Sequence, residues 1–158
     1  IEPTQSIRSL GVKLKLSPTR TIVKNKSIIL IDDSIVRGTT CHKIVKMLYE
    51  SGAKEVHVRI ACPEIKYPDF YGVDMPTKKE LLANEKNNQE MCDYIKAKSL
   101  EFLSLDGLYK ALVGEKRNAN YPQFSDHYFT GDYPIKPQDN LQGLKVKQLS
   151  LLSGKSNS

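Results

Sequence analysis

A chain of 158 residues with 39% hydrophobic and 27% charged residues has the balance of a globular domain with a real core, and no apolar run approaches the length of a membrane span. The formal charge of +6 invites a nucleic-acid partner, yet the basic residues are scattered, and a polyphosphate ligand asks for cations on the same electrostatic grounds. Three cysteines, Cys41, Cys62 and Cys92, fall at wide spacings with no CxxC, which argues against a disulfide framework and a four-thiolate zinc site and suits reduced thiols in a cytoplasm.

The first residues, Ile1-Glu2-Pro3-Thr4-Gln5, carry no initiator Met and no signal pattern, so they read as the interior of a longer protein. Residues 1–23 mix Gly, Ser, Pro and cations with a few spaced apolar residues, and are expected to form a mobile segment ending near Pro18. Ser27 to Ile31 is a continuous run rich in β-branched residues, the pattern of a strand buried on both faces. Thr39 to Glu50 places Ile44, Val45 and Leu48 at helical spacing and is stopped by Ser51-Gly52. Glu55 to Ala61 alternates Val56, Val58 and Ile60 as the next strand, so the three elements make a βαβ unit and a parallel sheet.

Beyond Pro63 the chain loosens into a proline-punctuated loop carrying Tyr67, Phe70 and Tyr71. Thr77 then opens a helix, with Glu80 at the capping-box position, running to about Asn84. A helix from Asn88 to Ala97, a short edge strand from Leu100 to Leu103 and a last helix from Ser104 to Leu112 follow. From Lys136 the chain turns polar, and its final six residues read as disordered. The domain expectation is therefore a lead-in at 1–23, an α/β domain at 24–135 and a tail at 136–158.

The chemistry concentrates in Asp32-Asp33-Ser34-Ile35-Val36-Arg37-Gly38-Thr39-Thr40, at the carboxyl end of a parallel strand, where open α/β sheets place their ligands. Backbone N–H groups, Gly38, the hydroxyls of Thr39 and Thr40 and the helix dipole together suggest a phosphate cradle, with the glycine letting a bulky anion approach. Two adjacent carboxylates would repel such an anion unless a ribose diol or a Mg²⁺ ion occupies them. The loop thus asks for a sugar phosphate with vicinal hydroxyls. A plain strand-to-helix turn, with solvated aspartates and Thr39 as N-cap, is the bland alternative. The apolar strand before the doublet and Arg37-Gly38-Thr39-Thr40 after it weigh against that alternative, and no Walker-type Gly-Lys-Ser/Thr is present.

This run resembles the phosphoribosyl pyrophosphate (PRPP) motif of type I phosphoribosyltransferases, in the form used by the amidophosphoribosyltransferases. Pro3-Thr4-Gln5 looks like that family's flexible active-site loop. Ser51 to His57, Pro63 to Pro68, Tyr71 to Thr77, Leu103 to Leu108 and Phe129 to Pro134 are similar to its later segments, so the match covers about residues 1–135. The resemblance implies the C-terminal portion of the type I phosphoribosyltransferase fold, a Rossmann-like parallel sheet with flanking helices. It implies transfer of phosphoribose from PRPP to glutamine-derived ammonia, giving phosphoribosylamine, glutamate and pyrophosphate at the first committed step of purine synthesis.

By the same resemblance, Asp32 and Asp33 would hold the ribose hydroxyls and Mg²⁺. Ser34, Ile35, Val36, Arg37, Gly38, Thr39 and Thr40 would complete the PRPP site, with Ser34 and Arg37 to Thr40 on the 5′-phosphate. Lys15 would reach the pyrophosphate, although spacing alone leaves it equally an ordinary surface lysine. Purine-nucleotide feedback inhibitors, a homo-oligomer (a tetramer), a cytoplasmic location and no nucleic-acid or membrane partner are also implied. Two departures stand out. Members with an iron–sulfur cluster use cysteines where this chain has Asp69, Ser125 and Tyr128, so no cluster is expected. The family's glutaminase domain begins with a nucleophilic cysteine, whereas this chain begins with Ile1; it reads as a fragment that would not turn over PRPP unaided.

His42, His57 and His127 share no ligand spacing and read as structural or surface residues. Tyr128, Phe129 and Tyr133 read as packing groups, together with Tyr121. A PRPP-sensing regulator built on the same fold is the alternative from another class; it would want a winged helix, and the sequence shows none. A phosphoribosyltransferase acting on a free base is the remaining enzyme alternative.

Overall fold

The computed structural model describes residues 18–73, 77–118, 120 and 124–135. Lys15, the Pro3-Thr4-Gln5 segment, Tyr121 and the expected tail from Lys136 lie outside the described residues.

A short helix α1 (Arg20–Val23) leads in, then β1 (Ser27–Asp32), α2 (Thr39–Glu50) and β2 (Glu55–Ile60) form the expected βαβ unit. A 3-10 turn at Lys78–Glu80 is followed by α3 (Leu82–Glu85), α4 (Asn88–Ile95), β3 (Ser99–Phe102), α5 (Leu105–Val113) and α6 (His127–Thr130). The strands lie in the order β1-β2-β3, all parallel, with Ser27 opposite Glu55, Asp32 opposite Ile60 and Ile60 opposite Phe102.

Alternation along β2 sends Val56, Val58 and Ile60 to one face, where they are buried against Cys41, Val45 and Leu48 of α2 and Met91, Cys92 and Ile95 of α4. Leu100 of β3 and Val23 of α1 close the same core. The other face is uneven. His57 Nδ1 sits 2.8 Å from Ser99 Oγ, and Arg59 donates to the same hydroxyl at 3.0 Å, so β2 and β3 are polar there.

On β1 that outer face is apolar and open. Ile29 and Ile31 are 67% and 73% exposed, while Ile28 and Leu30 pack on the core. The expectation of a strand buried on both faces is corrected: among the described residues nothing covers the outer face of β1. Its continuous apolar run encodes a demand for cover that these residues meet on one side only.

The helix expected from Thr77 is divided. The Thr77/Glu80 capping box forms, but Leu81 is extended (φ −77°, ψ 114°) and the helical course resumes at Leu82. Packing overrides propensity here, because Leu81 and Leu82 are both buried and the Leu82 N–H is claimed by the Val36 carbonyl at 2.8 Å. α4 ends at Ile95 rather than Ala97, since Lys96 turns left-handed (φ 60°) and closes it. Its start is fixed by an Asn87/Glu90 capping box. No helix among the described residues is long and apolar enough to cross a membrane.

Candidate functional site

β1 delivers Asp32 and Asp33 to the rim of a cavity of about 550 Å³, lined by Asp32 to Cys41 together with Lys43 and Glu80. The strand end is pinned by its neighbour, as Ala61 N–H donates to the Asp32 carbonyl at 2.9 Å. Within the doublet, Asp33 N–H donates to Asp32 Oδ1 at 3.0 Å and Ser34 hydroxyl to Asp33 Oδ1 at 3.1 Å. Both carboxylates keep further lone pairs for a ligand. Ile35 is buried in the core, so of the predicted PRPP-contacting residues it can offer only backbone groups.

Gly38 is the N-cap of α2, in the left-handed region at φ 74°. It carries no side chain, so the expected N-cap alternative at Thr39 is replaced by a helix start that no side chain caps. The first i to i−4 bond runs from His42 N–H to the Gly38 carbonyl at 2.9 Å, which leaves the amides of Thr39, Thr40 and Cys41 at the positive end of a twelve-residue helix. That is an anion site by construction.

The glycine also has a packing reason. A Cβ built on Gly38 would lie 2.6 Å from Leu82 Cδ2 and 3.1 Å from Tyr94 Cε1. The glycine admits close packing of α3 and α4 behind the loop.

Arg37 stands over the cavity. Its Nε donates to Glu80 Oε1 at 3.2 Å, and its Nη2 forms an ion pair with the same oxygen at 3.1 Å. Glu80, which the sequence marks only as a capping residue, therefore belongs to the site; its capping signature was legible, its second duty was not. Cys41 is pushed up to about 12 by burial, with the Asp32 charge adding to it, and Cys62 up to about 11 by burial and Asp33. Both thiols stay protonated at neutral pH, and neither is poised as a nucleophile. No group of three or more His, Cys, Asp or Glu side chains among the described residues could hold a metal ion by itself. The doublet is instead a partial, all-oxygen donor set, of the kind that binds a hard cation jointly with substrate oxygens.

A second polar cluster joins the Tyr67–Val73 loop to the C-terminal segment. His127 is buried, with Nε2 2.8 Å from Asp69 Oδ1 and Nδ1 3.1 Å from Ser125 Oγ. The Asp69 carboxylate also accepts from the N–H groups of Tyr71 and Val73 at 2.9 and 2.8 Å, and from Tyr128. His127 is thus structural, as expected. Tyr133 donates to the Pro68 carbonyl at 2.8 Å and stacks near His127, so the aromatic segment packs onto the domain. Asp69, Ser125 and Tyr128, the positions at which the resemblance would put cluster cysteines, meet around one imidazole.

Burial pushes the Asp69 carboxyl up, but the hydrogen bonds from Val73, Tyr71, His127 and Tyr128 outweigh it and hold the group down to about 2. A depressed carboxylate contributes stability above its unfolded value of 3.8 and loses it as pH falls through the folded value. Amide protection at Tyr71 and Val73, taken relative to the intrinsic exchange rate at each pH, is therefore expected to fall between pH 4 and about 2. That acid step should vanish in Asp69→Asn, and its persistence there would refute the assignment.

Arg117 forms the third cluster. It donates to Asp126 and Asp132, and the buried Asp126 also accepts from Tyr109 hydroxyl at 2.8 Å. Arg117→Ala leaves Asp126 short of its countercharge and should destabilise the protein by about 3 kcal/mol, read from the denaturation midpoint. Adding Asp126→Asn should recover part of that loss. A double variant no better than the single would show that the charge is not the cause.

No family model matches the chain. It is 54% identical over 154 residues to the amidophosphoribosyltransferase of Rhizobium etli, a match covering 97% of this chain and 31% of that protein. It is also 53% identical over 134 residues to the Staphylococcus aureus enzyme of the same name, covering 85% and 27%. Among solved structures it superposes, with a TM-score of 0.73 and 44% identity, on the glutamine PRPP amidotransferase of Bacillus subtilis complexed with ADP and GMP, covering 88% of this chain and 30% of that one. The chain thus spans about a third of the length of the relatives it matches. The expected fold is borne out, a portion of the phosphoribosyltransferase architecture with its parallel sheet and flanking helices.

Proposed function

We infer that this chain, a homologue of the amidophosphoribosyltransferases over nearly its whole length, is the PRPP-binding portion of such an enzyme. One observation carries the reading. An acidic doublet at a parallel strand's end, an uncapped helix start and a guanidinium meet around one cavity, which suits a ribose diol at one end and a phosphate at the other.

In this reading Asp32 and Asp33 accept from the ribose hydroxyls and hold Mg²⁺. Ser34, Thr39, Thr40, Arg37 and the amides beyond Gly38 take the 5′-phosphate, while Ile35 and Val36 contribute backbone only. Lys15 would reach the pyrophosphate, by the family resemblance alone. Mg²⁺ would neutralise pyrophosphate charge as it departs. The reacting carbon gains positive character when its bond to pyrophosphate breaks, and the aspartate charges near the ribose favour that state. Ammonia attacks the opposite face, giving phosphoribosylamine. The doublet offers only oxygens to a metal, which matches a hard ion such as Mg²⁺.

Glutamine as ammonia source, purine synthesis as the setting, nucleotide feedback and a homotetramer complete the proposal. The structural relative bound to ADP and GMP supports nucleotide regulation. Oxygens and an imidazole at the Asp69, Ser125 and Tyr128 positions support the absence of an iron–sulfur cluster. Free Cys41, Cys62 and Cys92 favour a reducing cytoplasm. Calorimetry on the complete protein, with PRPP and with PRPP plus Mg²⁺, tests the core of this. Magnesium-dependent uptake is expected, and no uptake in either titration rejects it.

A further inference from the structure

We propose that Glu80 is a positioning residue of the phosphate cradle, fixing the Arg37 guanidinium at the cavity so that its free end meets the anion; the inference rests on the PRPP reading above. Glu80 comes from a turn 43 residues away in sequence, yet it lines the same cavity as the loop.

Its two oxygens divide the work. Oε1 accepts from Arg37 Nε and pairs with Nη2, and Oε2 accepts from Thr77 N–H and Thr77 hydroxyl, each at 3.0 Å. The carboxylate is thereby anchored to the backbone on one side and holds the arginine on the other. Nη1 of Arg37 is left out of this clasp and is available to a phosphate oxygen. The same turn braces the loop a second time, through Leu82 N–H to the Val36 carbonyl at 2.8 Å.

A stabilising role does not account for the pair. Arg37 and Glu80 side chains are 48% and 46% exposed, and ion pairs so solvated contribute little to folding. A carboxylate lining an anion cavity also repels the ligand unless something offsets it, and Arg37 does so here. The Thr77 hydroxyl, the Thr77 N–H and Arg37 hold the Glu80 carboxyl below its ordinary range, so the clasp stays charged at neutral pH. What remains is geometry: a long, flexible side chain is held in one place before the ligand arrives.

A double-mutant cycle on the complete protein tests this. Glu80→Gln should raise the PRPP KM about tenfold with kcat within about twofold, because an orienting contact is lost rather than a reacting group. In an Arg37→Ala background the same change should raise KM no further and should instead lower it, because the carboxylate there repels the anion with nothing to offset it. Thr77→Val reports the capping role alone and should alter KM by less than Glu80→Gln. Two results overturn the inference: an unchanged KM in Glu80→Gln, or a penalty that persists at full size without Arg37. If Arg37→Ala and Asp33→Asn both leave PRPP binding intact, the underlying ligand assignment fails as well, and the pattern of single variants tells the two failures apart.

Discussion

Asp33→Asn is expected to lower PRPP-dependent turnover of the complete enzyme by about a hundredfold or more, the scale seen when one preorganised charge at a reacting centre is neutralised. The substitution is nearly isosteric. Oδ1 can still accept from Ser34, so the loop geometry should survive. In the PRPP reading, what disappears is the negative charge that would lie beside the ribose and one carboxylate oxygen that a metal would use. Any separate ammonia-producing activity of the same protein should fall much less, because the variant touches no group outside this loop. Steady-state kinetics of both activities, with PRPP binding measured alongside, decide the matter. Undiminished phosphoribosylamine formation would remove the acidic doublet from the mechanism.

Gly38→Ala carries the second large effect, and it acts on fold and site together. The backbone there has φ 74°, a conformation that an L residue adopts at a cost of about 1 kcal/mol. The added methyl would also overlap Leu82 Cδ2 at 2.6 Å, and Leu82 is buried among core neighbours with little room to retreat. Overpacking of that kind costs about 1–3 kcal/mol. The sum, about 2–4 kcal/mol, should appear as a drop in the unfolding midpoint. Because Gly38 itself caps α2, a backbone shift there should lower PRPP affinity too. Leu82→Ala introduced on top should restore part of the affinity by opening space, although it lowers stability by itself. If Gly38→Ala leaves both measurements unchanged, the packing explanation for this glycine is wrong.

Much of the site was legible in the sequence because it is local. A β-branched run, two aspartates and a glycine ahead of an amphipathic stretch occupy fourteen consecutive positions, and the rules linking such a string to a strand, a turn and a helix start act over short distances. The β2 and β3 strands and α5 were readable for the same reason. The misreadings are non-local. Nothing in Thr77-Lys78-Lys79-Glu80-Leu81-Leu82 indicates that the Val36 carbonyl will claim the Leu82 amide and divide the helix. Nor does that string show Glu80 reaching back 43 residues to Arg37. The packing role of Gly38 could not be read because its neighbours, Leu82 and Tyr94, arrive only through tertiary packing. α6, at four residues, is too short to leave a period, whereas the Asn87-x-x-Glu90 box was present and simply not used.

The bare aliphatic row on β1 bears on how this polypeptide behaves in a tube. Ile29 and Ile31 lie on a strand that, among the described residues, has a neighbour on only one side, so a greasy strip adjoins main-chain groups suited to recruiting another strand. A charge of +6 holds like molecules apart. Added salt shortens the reach of that repulsion and leaves the strip as sticky as before, so low ionic strength is the gentler medium for handling the chain by itself.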